Sequence, residues 1–138
     1  MNKINKMNVK ILLLGSFLLL MMLMVGCSTL VPVIDFATIE EIEIMILEPF
    51  PVQVHLVASG YLPDPCTKIH QITQEREDYH FSVTITTYRF PGACIQIIAP
   101  FEEIIPLEVY GLPAGTYTVE VNGVQGTFEL EIDNILPV

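Results

Sequence analysis

The chain has 138 residues, with six Lys and Arg against sixteen Asp and Glu. The charges divide at Cys27: Lys3, Lys6 and Lys10 precede it, while every acid follows it and meets only Lys68, Arg76 and Arg89, a formal charge of −13. A field of that sign repels phosphate backbones, which excludes nucleic acid as a partner and argues against electrostatic docking on an anionic membrane.

Residues 1–10 (MNKINKMNVK) carry three lysines and no acid, and residues 11–25 (ILLLGSFLLLMMLMV) carry no charge. That order is the basic region and apolar region of an export signal. The run is shorter than the roughly 20 residues of a comfortable membrane span. It ends in Met24-Val25-Gly26-Cys27, which resembles the bacterial lipobox, with Met24 where Leu is usual. The resemblance implies diacylation of the Cys27 thiol, typically with palmitate-type chains, and removal of residues 1–26. Each buried CH₂ is worth about 0.8 kcal/mol, so two or three acyl chains hold where one would not. The expected organisation is a signal peptide over 1–26, a lipidated tether over 27–38 and a single domain over 39–138.

Within the domain, period-2 alternation dominates. Residues 39–47 place Ile42, Ile44 and Ile46 on one face and Glu41, Glu43 and Met45 on the other. Residues 52–58 place Val52, Val54, Leu56 and Ala58 together, with Ser59-Gly60 expected to break the strand. Tyr61-Leu-Pro-Asp-Pro-Cys66 follows as a loop stiffened by two prolines, with Asp64 suited to the turn between them. Residues 67–74 form a further strand before a charged turn at 75–78. Residues 79–88 alternate most clearly, with Phe81, Val83 and Ile85 facing inward. Short strands are expected at 94–98, ended by Pro100, and at 104–109, where Pro106 implies an edge or a bulge. Residues 116–121 and 124–130 flank Asn122-Gly123, a strong type I′ hairpin signal.

Eight short candidate strands with turn signals between them, and no capped helical periodicity after Cys27, imply an all-β fold. The expected architecture is an antiparallel β-sandwich of about seven strands, Ig or fibronectin III-like, preceded by the N-terminal signal helix. The absence of Trp favours a fibronectin-like relative. Gly111-Leu-Pro-Ala-Gly-Thr-Tyr117 resembles the turn and strand that carry the tyrosine corner of Ig-like domains. More widely, YLPDPCTKIH, the Cys94 segment and PFEEIIPLEVYGLPAGTYTVEVNG resemble an uncharacterised group of bacterial surface lipoproteins with an LPDPC…C…PFE…GLPAGTY…VNG order. That resemblance implies an exported β-domain and carries no activity.

With Cys27 assigned to lipid, Cys66 and Cys94 form an even pair in an exported domain, and one connectivity is available. Such a bridge contributes about 3–4 kcal/mol by the loop-entropy account. A metal pair or a free nucleophile are the alternatives, but nothing beside either cysteine supplies a base. His55, His70 and His80 lack ligand spacing, although His55 and His80 on one sheet face would be a zinc pair. The acidic clusters lack calcium-loop spacing, and there is no nucleophile elbow, phosphate loop or H-E-x-x-H. No metal, no cofactor and no catalytic residue are therefore expected, and the protein is read as a non-enzyme. Tyr61, Leu62, Tyr88, Phe90 and Phe101 surround the loops that the bridge would join, and are the candidate recognition residues; capping of the core is their other role.

The resulting expectation is a lipoprotein of the bacterial cell envelope, facing the extracytoplasmic side and held to the membrane through its lipid. It would act as a binding or envelope-structural module for an unknown protein or glycan. The alternative is an Ig-like protease inhibitor presenting loops at one end of the sandwich.

Overall fold

The computed structural model describes residues 2–22 and 30–138. The expected lipid-bearing Cys27 and the rest of the lipobox lie outside the described residues. Two compact units are present, residues 1–30 and 31–138. The first contains helix α1 (Asn2–Met22). Among the described residues no helix is long and apolar enough to cross a membrane.

The second unit is a two-layer β-sandwich of eight strands: β1 (Val33–Phe36), β2 (Thr38–Leu47), β3 (Gln53–Leu62), β4 (Thr67–Glu77), β5 (His80–Arg89), β6 (Ala99–Leu107), β7 (Gly115–Val121) and β8 (Val124–Leu130). One sheet is β2-β3-β6. The other runs β1-β5-β7-β8, with β4 on the opposite flank of β5. Alternation places the core as expected. Val54, Leu56, Ala58, Ile105 and Leu107 face Phe81, Val83, Ile85, Tyr117, Val119, Val121 and Phe128. At about 25 cal/mol per Å² of apolar surface removed from water, this interleaf layer is the main source of stability. Gly126 on β8 lies against Ile42 and Ile44 of β2, where a Cβ would stand 3.1 Å from both Cδ1 atoms. The missing side chain lets the edge of one sheet close over the other.

Five local expectations are corrected. Ser59-Gly60 does not end β3, which continues to Leu62. Its glycine permits a close crossing, since a Cβ on Gly60 would collide with the Thr38 carbonyl oxygen, beside the irregularity between Ile39 and Glu41. Residues 94–98 form no strand. The β3 ladder ends at the pair Leu62–Ala99, so those residues have no backbone partner despite their apolar character. Pro100 does not close a strand but sits inside β6 with Pro106. Both are accommodated because β6 is an edge. The charged stretch at 75–78 is mostly strand, with the turn at Asp78-Tyr79; Asp78 takes the left-handed conformation (φ 51°). Finally, Val33–Phe36, read as tether, pair with Arg89–Thr86 of β5. This segment alternates too briefly to announce itself.

The sandwich is not wholly antiparallel. β7 runs parallel to β5 over His80–Val83, while β1 takes the same flank of β5 higher up, at Thr86–Arg89. Asn122 fills the junction between them. Its backbone adopts φ 45° and Gly123 φ 95°, the type I′ turn expected. Its side-chain amide accepts from Ile85 N (3.1 Å) and donates to Ala37 O and Ile85 O (both 2.8 Å).

The far end of the sandwich, where β5 begins and β3 begins, is closed by the C-terminal tail. Asn134 is fully buried. It accepts from Val52 N at 2.8 Å and donates to Val52 O at 2.9 Å and Val109 O at 3.1 Å. Asp133 accepts from Ala114 N at 2.8 Å. Beside them, buried Tyr117 donates its hydroxyl to Pro113 O at 2.8 Å, which is the tyrosine corner. Burial raises the Tyr117 pKa, with the neighbouring Tyr79 adding to the shift.

Candidate functional site at the disulfide-tied end

The opposite end collects most of the residues singled out in the sequence. β3 ends there at Leu62, β4 begins at Thr67, β5 ends at Arg89 and β6 begins at Ala99. β1 begins there as well, with Val33 opposite Arg89. Two connections, 63–66 and 90–98, therefore share this end, and Cys66 and Cys94 join them by a disulfide with Cα atoms 6.2 Å apart.

Asp64 organises the first connection. One carboxylate oxygen accepts from Cys66 N (2.9 Å), Thr67 N (2.9 Å) and Thr67 Oγ1 (3.0 Å). The other accepts from Arg89 Nε at 2.8 Å. Flanking prolines withhold competing donors, so the aspartate turns the chain back into β4. Hydrogen bonding to the Arg89 guanidinium holds the Asp64 carboxyl below the ordinary aspartate value; burial opposes this, and the Thr67 and Cys66 bonds add to the lowering. Arg89 then reaches the second connection, donating to Phe90 O at 3.4 Å and Gly92 O at 3.3 Å. A carboxylate, a guanidinium and a disulfide thus fix two loops of irregular backbone.

The candidate recognition residues separate by depth. Leu62 is buried. Phe101 is half-buried and packs against the core; Tyr61 is half-buried on β3 opposite Thr38 and Pro100. These three hold the end together. Phe90 is exposed, and its ring meets that of half-buried Tyr88 edge to face at 5.4 Å; His70 meets Tyr88 in the same manner at 5.8 Å. A groove of about 310 Å³ runs beside β1, lined by Phe36, Ala37, Tyr61, Leu62, Thr87 and Arg89 among others.

The histidines do not converge. His55 lies in the β2-β3-β6 sheet, whereas His70 and His80 lie in the other. Two sheet faces that point apart cannot share a zinc ion. His80 Nδ1 instead meets Thr118 Oγ1 at 2.7 Å, and among the described residues no carboxylate bonds to that imidazole. Asp64, Cys66 and Cys94 have ligand atoms within 4.8 Å of one another, but the sulfurs are joined to each other, which leaves no thiolate for a metal. Among the described residues no buried side-chain nitrogen or oxygen lacks a hydrogen-bond partner.

Three polar residues carry more of this architecture than sequence reasoning assigned them. Arg89 was legible only as one of three cations after Cys27. Asn122 was visible as a turn residue and not as a bridge. Asn134, in Ile-Asp-Asn-Ile near the C-terminus, sits in no alternating pattern and gave no signal.

Comparison with known proteins gives relatives without an assigned activity. An uncharacterised 10.2 kDa protein in the HgiCIIM 5′ region of Herpetosiphon aurantiacus is 37% identical over 93 residues, covering 67% of this chain and 98% of that protein. Its counterparts in the HgiBIM and HgiEIM 5′ regions of the same organism are 36% identical over 81 residues, covering 58% of this chain and 98% of each. No solved structure matches. The ORF11 β-sandwich domain matches residues 56–130, a span from the middle of β3 to the end of β8 that includes the disulfide, the Asp64–Arg89 pair and the tyrosine corner. The chain belongs to the ORF11 β-sandwich domain family.

Proposed function

We propose that this protein is a lipid-anchored, extracytoplasmic β-sandwich that serves the bacterial cell envelope as a non-enzymatic binding or structural module. The observation that carries the reading is the disulfide. A Cys66–Cys94 bridge belongs to an oxidising compartment, and the basic-then-apolar leader ending at Gly26-Cys27 supplies both the route there and the acylation site. The non-enzymatic part rests on how the polar side chains are used. Asp64, Arg89, Asn122 and Asn134 hold backbone and each other, and among the described residues no nucleophile stands beside an oriented base.

The test is the intact mass of the protein extracted from membranes. The wild type is expected to lack residues 1–26 and to carry acyl chains on Cys27, whereas Cys27→Ser accumulates as the full-length precursor. A normally processed Cys27→Ser product would remove the lipoprotein reading.

The second reading, an Ig-like protease inhibitor, draws on the irregular, exposed 90–98 segment pinned by Cys94. An inhibitor of this kind blocks a protease at one-to-one ratio and keeps that segment intact. Rapid cleavage within 90–98 without loss of protease activity would dismiss it.

A further inference from the structure

We propose that the disulfide-tied end of the sandwich docks on the surface of the bilayer, with Phe90–Ile98 lying in the lipid interface. The proposal rests on the lipid anchor at Cys27 and adds to it a second, protein-borne contact.

The chain path sets the orientation. β5 delivers the backbone to this end at Arg89 and β6 takes it up again at Ala99, so the whole of 90–98 stays there. The folded unit also begins there, at Val33 opposite Arg89. Five residues separate Cys27 from Val33, a fully extended reach of about 20 Å. A lipid on Cys27 therefore holds this end, and no other, close to the headgroups.

The chemistry of the end fits that position. Phe90, Ile95, Ile97 and Ile98 are each between 60% and 67% exposed, and residues 90–98 contain no charged side chain. Val31, Val33, Ile34 and Phe36 on the adjoining segment are exposed too. The charges at this end are Asp35, Asp64, Lys68 and Arg89, with Asp64 paired to Arg89. They sum to zero. The excess of −13 that argues against membrane docking for the domain as a whole lies along the sheets and at the far end. There Glu48, Glu77, Asp78, Glu108, Glu129, Glu131 and Asp133 surround a single cation, Arg76. Exposed apolar residues occur at the far end as well, among them Ile46, Phe50 and Ile132, but these carboxylates flank them and an anionic bilayer repels them.

The backbone is equally suited. Residues 90–98 make no ladder, so their amides need water or lipid carbonyls, which the interface offers and the hydrocarbon core does not. The Cys66–Cys94 bond and the Arg89 bonds to Phe90 O and Gly92 O order the segment beforehand, so little conformational entropy is lost on docking. The anchor raises the local concentration of lipid enough for a patch of this size to stay bound.

The chain contains no Trp, so single substitutions give unique fluorescent reporters. The full-length precursors of Ile97→Trp, Phe90→Trp and, at the far end, Tyr110→Trp are expressed, and the processed proteins are reconstituted into phosphatidylcholine–phosphatidylglycerol vesicles with or without brominated lipid. The Ile97→Trp and Phe90→Trp proteins are expected to emit to the blue of the Tyr110→Trp protein and to lose more than about half of their intensity to brominated lipid, as an interfacial segment does. The Tyr110→Trp protein is expected to do neither. Equal, weak quenching at both ends in protein that floats with the vesicles overturns the docking while leaving the anchor intact. Shielding of the Ile97→Trp protein from aqueous acrylamide without quenching by brominated lipid also overturns it, and assigns the face to a protein partner. Protein that fails to float removes the anchor, and the docking with it.

Discussion

The two ends of the sandwich are closed by different chemistry. At the disulfide end, two irregular connections are held by a covalent bond and by Asp64, whose carboxylate gathers two backbone amides, a hydroxyl and Arg89. At the far end there is no covalent tie. A buried amide, Asn134, bonds β3's approach and the β6–β7 connection, and Tyr117 closes the turn before β7. The contrast shows how a domain of this size economises. Where side chains can be buried, neutral hydrogen bonds in a low-dielectric setting suffice. At the disulfide end Asp64 is buried too, but as a charge, and Arg89 and the neighbouring cross-link hold it there.

That division is open to attack at either end. The largest effect is expected from Cys66→Ser with Cys94→Ser, which should lower the unfolding free energy in urea by about 3–4 kcal/mol through loop entropy. In the native state, amide exchange should quicken over 63–66 and 90–98 and stay slow around Asn134. Equal quickening at both ends would mean that the ends are not independent. Next, Asn134→Ala should cost about 2–4 kcal/mol, because it removes the partners of the Val52 amide and carbonyl and one of the two donors to the Val109 carbonyl, which keeps Leu112 N. The rate at which dithiothreitol reduces the disulfide in the folded protein should not change. Tyr117→Phe should cost about 1 kcal/mol for one hydrogen bond.

Tyr117 also sets an alkaline limit. Its folded pKa is raised, so the fold favours the protonated form, and its contribution is fully present below about pH 10 and is lost as pH rises through the folded value. Stability curves for the wild type and Tyr117→Phe should converge in that range. The smallest effect is expected at acid pH. The Asp64 pKa is lowered, so its contribution is present above about pH 4 and is lost as pH falls through the folded value. Asp64→Asn should flatten that loss, and salt should weaken it in the wild type, since Arg89 is partly exposed.

Much of this could be read from residue order. Strict alternation in Phe81–Ile85 and Tyr117–Val121 identified core faces because a pleated strand repeats every two residues. Asn122-Gly123 identified its hairpin because few residues accept two successive positive φ values. Cysteine parity identified the bridge. The failures share a cause: they depend on which strands become neighbours. Cys94–Ile98 has the composition of a strand but lies beyond the end of its only available partner. Val33–Phe36 has too few residues to show a period, yet finds an open flank on β5 above β7. Gly60 reads as a breaker until the Thr38 carbonyl is placed against it. Leu62 could not be separated from Phe90, because both are apolar residues beside loops and only depth distinguishes them; Tyr61, Tyr88 and Phe101 lie half-buried between the two.

The short strand β1 has a mechanical meaning. Tension applied through the N-terminal side of the domain reaches it first at Val33. Because β1 runs antiparallel alongside β5, a pull along its axis loads the ladder in shear, so its bonds must yield together and not one after another. Behind the ladder, the Asn122 amide grips Ala37 O and Ala37 N holds Ile85 O. Four paired residues and one asparagine therefore form the coupling through which force on the chain would be passed to the body of the sandwich.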